Sequence, residues 1–371
     1  MKIAQITYNY LPVLGGQEIY IKNLINVFNS ESISSHVFQP DKPSADKREK
    51  NVTFVFYIPL IGKVIKEWNW HLFDFFLLFH KRELKQFDLI IAHYAFHSIP
   101  VWSLSDHTII VSHGIEWNAE RKNLNDRIHE YIAKKTFNKF TIVANDTDYF
   151  RQLGLNIPPA TNFFSEISPG KWFIPNCVDL AVFRKTKGLP DLLSKKIILV
   201  PRQITEDRGI DLSIRAFSLF LKQNPGFTLY IVGGPRSGNY YTSCHSLTHT
   251  LGIADKVVFT GPVPNNEMPD IYSSSVLTLI PTLRREGTSL SALESMACGT
   301  PAISTDVAGL RDLPTVKAKA DPHDIAEKLS YCLANLNDIS SRQYNSVKTT
   351  FNTENWKQAW LRVTTKLFQH H

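Results

Sequence analysis

Two glutamates eight positions apart, Glu286 and Glu294, sit in the stretch Ile280-Pro-Thr-Leu-Arg-Arg-Glu-Gly-Thr-Ser-Leu-Ser-Ala-Leu-Glu-Ser-Met-Ala-Cys-Gly-Thr-Pro301. The apolar run ending at Pro281 reads as a strand, Glu286-Gly287-Thr288-Ser289 as a loop, and the residues from Ser289 and Leu290 onward as a helix. Amides left free at a helix N-terminus carry a positive partial charge that suits a phosphate. Gly287 lets the backbone come close to a ligand. Glu294 falls about two turns into the helix, where a carboxylate can accept both hydroxyls of a ribose. Glutamates at this spacing are common on solvated helix faces. It is the strand-loop-helix setting, closed by Gly299-Thr300-Pro301, that reads as a nucleotide site.

Three further places could do chemistry. Gly15 and Gly16 follow the run Ile3–Tyr8 and open a helix, so the backbone there can approach a phosphate or a sugar. Ser112-His113-Gly114-Ile-Glu116-Trp117 follows another apolar run. His113 is the candidate side chain at its end, with Glu116 and Trp117 lining an acceptor site. His93, after Leu89–His93, is its competitor. Gly233 and Gly234 make a turn after Leu229–Val232, close to the expected nucleotide.

These positions need strands to hold them. Short apolar runs recur at Ile3–Tyr8, Phe54–Ile58, Leu89–His93, Ile109–Ser112, Thr141–Ala144 and Trp172–Ile174. A second set follows at Lys196–Val200, Leu229–Val232, Val257–Thr260, Val276–Ile280 and Ala302–Ser304. Continuous apolar runs alternating with helical patterns indicate parallel sheets covered on both faces. Two sets in 371 residues indicate two doubly wound, Rossmann-like α/β domains facing across a cleft, with ligands outside the carboxyl ends of the strands. The expected division is 1–180 and 190–350, across the loose stretch Leu180 to Ser194. The pattern from Asn355, with Trp356, Trp360, Val363 and Leu367 on one face, predicts a helix over 355–371 that packs back on the first domain.

The Glu286–Glu294 stretch resembles the donor-site signature of the retaining glycosyltransferases of the GT-B fold (group 1 type), which include bacterial mannosyltransferases and sucrose-phosphate synthases. The resemblance implies that Glu286 contacts the donor sugar and that Glu294 holds the ribose. The family usually has Gly-Phe-Gly after the first glutamate, where this chain has Gly287-Thr288-Ser289. Arg202 and Arg208, after the run ending at Val200, match the family's Arg and Lys beside the donor pyrophosphate. Two cations there stabilise the departing nucleotide diphosphate without a metal. Arg208 in place of Lys keeps the charge and changes the geometry. Phe259–Pro264, with Val263, resembles the segment framing the base. Gly15-Gly16-Gln-Glu18 matches the Gly-Gly-x-Glu loop, and His113 stands where the family's histidine bonds the donor sugar. Asn176-Cys177-Val178-Asp179 resembles an interdomain hinge.

The resemblance implies a retaining, metal-independent enzyme. It moves a hexosyl or deoxyhexosyl unit from a UDP- or GDP-linked sugar to a glycan or lipid-linked acceptor in cell-surface polysaccharide or glycoconjugate synthesis, with no cofactor and no metal ligand set. Two rivals stay open: a nucleotide-sugar epimerase, and a partner subunit that binds nucleotide sugar without turnover. Isomerisation without acceptor would mark the first, binding without turnover the second. The formal net charge of +7 favours anionic partners. No recognition helix, zinc finger or RNA-binding signature is present, so nucleic acid is not expected. Cys177, Cys244, Cys298 and Cys332 lack metal or disulfide spacing and read as reduced thiols. The block Leu72–Phe79 falls far short of the ~18 apolar residues of a spanning helix. Between Lys63 and Phe87, Lys63, Lys66, Lys81, Arg82 and Lys85 flank Ile65, Trp68, Phe75 and Phe79. That pattern suits either an interfacial helix on an anionic membrane or an ordinary domain helix. The expected place is the cytoplasm, at the inner face of the cell membrane.

Overall fold

The computed structural model describes residues 1–12, 15–42, 50–56, 69–118, 123–157, 163–236 and 238–369. The chain divides into two compact units, Met1–Pro175 with Trp356–His371, and Asn176–Asn355. The division falls at Pro175/Asn176, ahead of the loose stretch at Leu180 to Ser194, for a local reason. Asn176 N–H donates to Thr288 Oγ1 at 2.7 Å and Val178 N–H donates to the carbonyl of Phe351 at 2.9 Å, so the hinge-like residues are tied into the second unit.

The first unit holds an eight-stranded sheet. Its strands are β1 (Lys2–Ile6), β2 (Ser34–Pro40), β3 (Val52–Val55), β4 (Leu89–His93), β5 (Thr108–Ser112), β6 (Thr141–Ala144), β7 (Ser165–Ser168) and β8 (Lys171–Phe173). Their order is β3-β2-β1-β4-β5-β6-β8-β7, parallel except for β7 against β8. β4 and β5 are buried along their whole length, as strands covered on both faces are. Two strands escape a reading of apolar runs: β2 opens Ser-Ser-His and ends in proline, and β7 reads Ser-Glu-Ile-Ser. The expected Phe54–Ile58 strand is Val52–Val55, and positions 57–58 lie outside the described residues.

Helix α1 (Gly16–Ser30) covers this sheet, and Trp356, Trp360 and Val363 of the helix Thr353–Gln369 are buried in the same unit. Tyr20 of α1 meets Trp356 and Trp360 edge-on at centroid distances of 5.1 and 6.4 Å. Lys357 pairs with Glu31 at the end of α1, and Arg362 donates to the carbonyl of Phe164 at 2.8 Å.

The second unit holds a six-stranded parallel sheet of β9 (Lys196–Val200), β10 (Phe227–Val232), β11 (Val257–Gly261), β12 (Leu277–Ile280), β13 (Ala302–Thr305) and β14 (Val316–Ala318), ordered β11-β10-β9-β12-β13-β14. Its core joins Ile198, Val200, Leu229, Ile231, Leu277 and Leu279 to Ile214 and Phe217 of α2 (Ile210–Leu221). The direction of strand addition reverses between β9 and β12, the switch point at which doubly wound sheets bind ligands.

Candidate active site

Arg202 follows β9 and Glu286 follows β12, so the two loops flank that switch point. A glycine brings them together. Gly209, the residue before α2, has φ of +64°, and a Cβ there would lie 2.1 Å from the carbonyl oxygen of Pro281. Only glycine combines that backbone with that approach. The same contact is sealed by Leu283 N–H donating to the carbonyl of Asp207 at 2.9 Å, which carries Arg208 to Glu286. A second close approach sets Arg202, since a Cβ on Gly233 would lie 2.1 Å from the Arg202 carbonyl oxygen.

The Glu286 carboxylate is paired with both Arg202 and Arg208. The buried Arg202 guanidinium also donates to Thr282 Oγ1 at 2.8 Å and Ser289 Oγ at 3.3 Å, while its Nε is buried without a partner among the described residues. Burial lowers its pKa to about 10, so it stays charged at neutral pH. Ser289 precedes helix α4 (Leu290–Ala297) as its N-cap, with no side-chain capping bond, which leaves first-turn amides available. The loop is held from behind: Glu286 offers its own carbonyl to Gly309 N–H at 2.9 Å.

Glu294, buried on α4, accepts a hydrogen bond of 2.9 Å from the hydroxyl of Tyr272 on α3 (Met268–Ser274). Burial raises its pKa to about 7, against the lowering effect of Tyr272. Its other oxygen has no hydrogen bond among the described residues. Thr288 is buried, with its hydroxyl and carbonyl both taken by Asn176. It shapes the loop through that tie. Gly234 accepts Ile204 N–H at 3.0 Å, and its Cβ position would meet Pro262 at an ordinary 3.8 Å. Val263 is half-buried in the loop after β11.

In the first unit, Gly15 is the N-cap of α1 with extended backbone, and Gly16 is the exposed first residue of that helix. A Cβ on Gly15 would lie 2.8 Å from Glu18 Oε2. Burial raises the Glu18 carboxyl, and Lys42 beside it is lowered to about 8 by burial. His113 bonds His93 at 3.0 Å, so the two competing histidines form one cluster. Glu116 Oε1 accepts Ala95 N–H at 2.9 Å, and burial lifts its carboxyl to about 7. Trp117 departs from the expected acceptor face. It is 1% exposed and belongs to the apolar core of the first unit, its ring 6.2 Å from that of Tyr149. The Asn-capped helix Leu124–Lys139 follows shortly after it.

Thr282 and Tyr272 are site residues that local pattern did not point to. A threonine directly after a strand end was the available signal for the first; Tyr272 carries none.

Residues 184–343 match the family model described as Glycosyl transferases group 1. D-inositol 3-phosphate glycosyltransferase of Acidothermus cellulolyticus is 35% identical over 152 residues, covering 37% of this chain and 33% of that protein. The match spans about a third of the length of this and the next such relatives. Sucrose-phosphate synthase from Thermosynechococcus elongatus superposes with a TM-score of 0.80 at 18% identity over all of both chains. HepE of Anabaena, solved with UDP and glucose, superposes with a TM-score of 0.76 at 16% identity over 99% of this chain and all of that one. Arg202, Arg208, Glu286 and Glu294 all fall inside the stretch that matches the group 1 glycosyl transferases, and the chain shares the GT-B fold of the superposed structures.

Proposed function

We propose that this protein is a retaining glycosyltransferase that moves a hexosyl or deoxyhexosyl unit from a nucleotide diphosphate sugar to a glycan or lipid-linked acceptor in cell-surface glycoconjugate synthesis. One observation carries the reading: Glu286 lies between Arg202 and Arg208 at the switch point, with Glu294 further along the same loop and helix. A carboxylate between two cations marks a place where an anion is favourable. In this reading the donor diphosphate takes both arginines, the unpaired Arg202 Nε included, and frees Glu286 for the sugar hydroxyls. Glu294 accepts the ribose hydroxyls. The acceptor hydroxyl attacks the anomeric carbon on the face the diphosphate leaves, and a leaving phosphate oxygen takes its proton. The arginines supply the charge stabilisation, so the reading calls for no metal ion. His113 contacts the transferred sugar. The UDP held by HepE favours a uridine nucleotide, with a guanosine one as the alternative.

A panel of UDP- and GDP-sugars tested by thermal shift, then by transfer to glycan acceptors, decides the matter. Arg202→Ala and Glu294→Ala are expected to abolish transfer. Full activity in either sinks the site assignment, and donor isomerisation without acceptor would establish the epimerase instead.

A second reading concerns the membrane. Phe56, Phe75 and Phe79 are 62%, 54% and 74% exposed and join Phe76 in one ring cluster, with the basic Lys81, Arg82 and Lys85 following. A 3-10 turn, Leu78–His80, joins the helix Asn69–Leu77 to Lys81–Leu84, and Lys63, Ile65, Lys66 and Trp68 lie outside the described residues. Apolar rings beside cations suit the surface of an anionic bilayer. Sedimentation with phosphatidylglycerol vesicles should fall in a Phe75→Ser/Phe79→Ser variant; equal sedimentation of both proteins overturns this contact. Among the described residues no helix is long and apolar enough to cross a membrane.

A further inference from the structure

Three parallel strands at the middle of the first sheet carry an unusual line of polar side chains. Gln5 on β1 is in register with Ile91 on β4, and His93 on β4 with Val111 on β5. Side chains two apart along a strand share a face. Gln5 and His93 therefore lie on one face, and His113, directly after β5, is set beside His93 by the bond between them, on a line that steps toward the carboxyl edge. They are bonded in that order. His93 Nε2 lies 3.0 Å from Gln5 Oε1, and His93 Nδ1 lies 3.0 Å from His113 Nε2. The two imidazoles are 16° from parallel with centroids 5.2 Å apart, an end-to-end arrangement.

Tyr20 closes over the pair edge-on, at 6.2 Å from His93 and 4.8 Å from His113. Trp356 in turn meets Tyr20 edge-on at 5.1 Å. His93 has no solvent exposure, and burial lowers both histidines, His113 to about 3. His97, whose charge also lowers His93, and the ring of Tyr94 against His113 are the other titratable neighbours. Among the described residues no carboxylate bonds either ring. Both imidazoles are thus neutral near pH 7, each with one N–H and one lone pair. The Gln5 carbonyl oxygen accepts from His93 Nε2–H. His93 Nδ1 is then a lone pair, so His113 Nε2 must carry the proton it donates. The lone pair of His113 is left on Nδ1, which has no hydrogen bond among the described residues.

We infer that His93 is a positioning residue: together with Gln5 it fixes the ring plane and tautomer of His113, so that Nδ1 of His113 accepts a hydroxyl of the transferred sugar. This rests on the sugar contact proposed for His113. An apolar side chain would fill the same strand position without the cost of burying unneeded polar atoms, and the ring nitrogen left free on one histidine is set by the bond made at the other.

The test combines imidazole 15N spectra of the full chain with transfer kinetics. In the wild-type protein at pH 7, His113 should show the Nε2-protonated tautomer. His93→Leu should mix the His113 tautomers and lower kcat about tenfold, the scale of one misplaced hydrogen bond, while the UDP thermal shift stays unchanged. His93→Asn, whose amide reaches the place of Nδ1, should restore most of that loss. Gln5→Glu can only accept, so it keeps the tautomer at high pH. Its carboxylate raises the His93 pKa, and protonated His93 would donate from Nδ1 and force the His113 proton onto Nδ1. A new limb should appear, with kcat falling as pH drops. An Nδ1-protonated His113 in the wild type overturns the inference. So does a His93→Leu variant with unchanged spectrum and kcat when His113→Ala is inactive. If the wild type transfers no sugar, the proposed function fails by itself, and the spectra still decide the relay.

Discussion

Glu294 and Tyr272 set a pH dependence that a single carboxyl determines. The folded-state pKa of Glu294 is raised to about 7 by burial, above its value in the unfolded chain. Its protonated form is therefore favoured by folding, and the associated stability is present at low pH and lost as pH rises through about 7. In the proposed site, ribose binding runs the other way, because the hydroxyls would need the carboxylate. UDP affinity is expected to weaken as pH falls below about 7, approaching tenfold per unit, measured by titration calorimetry between pH 8 and 5.5. Tyr272→Phe removes the one hydrogen bond that lowers this pKa, so the same curve should move to higher pH. An unmoved curve would show that Tyr272 only fills space. Glu286 and the two arginines stand out in the sequence by residue type after strand ends, and the structure brings the three together. The Tyr272 bond was not legible there, because it joins two helices with no local signal. Trp117 was misplaced for the same kind of reason: an indole beside a glycine loop looks like a ligand platform until its burial is known.

At the level of elements, Gly209 is the residue on which the second unit's site depends. Its substitution by alanine meets both a positive φ and the Pro281 carbonyl at 2.1 Å. Gly209→Ala should cost about 2 kcal/mol in thermal unfolding of the second unit and lower UDP binding, since Arg208 rides on the displaced loop. An unchanged melting temperature would contradict the close approach. The strand-loop-helix pattern made β9, β12 and α4 readable, as continuous apolar runs followed by glycine loops. β2, β7 and β14 were not, since short strands or polar faces carry no such run; β14 has three residues. The His93–His113 relay depends on register between β1, β4 and β5, which only pairing reveals.

On the whole molecule, two sets of apolar runs were enough to call for two doubly wound units, and the periodic tryptophans for a last helix. Which sheet that helix joins is a matter of tertiary packing, settled by Tyr20, Phe28 and the Glu31–Lys357 pair. Trp360→Ala removes an indole with no exposure and should destabilise the first unit by about 3–5 kcal/mol. The UDP-dependent thermal shift, which reads the second unit, should survive. The first unit is therefore built from two separate stretches, Met1–Pro175 and Trp356–His371, whereas the second is one uninterrupted stretch, Asn176–Asn355. During synthesis, where domains fold as they emerge, this reverses the usual order. The unit translated first must wait, with Tyr20 and Phe28 lacking their indole partners, until Trp356 and Trp360 leave the ribosome, and the unit translated second can finish before it.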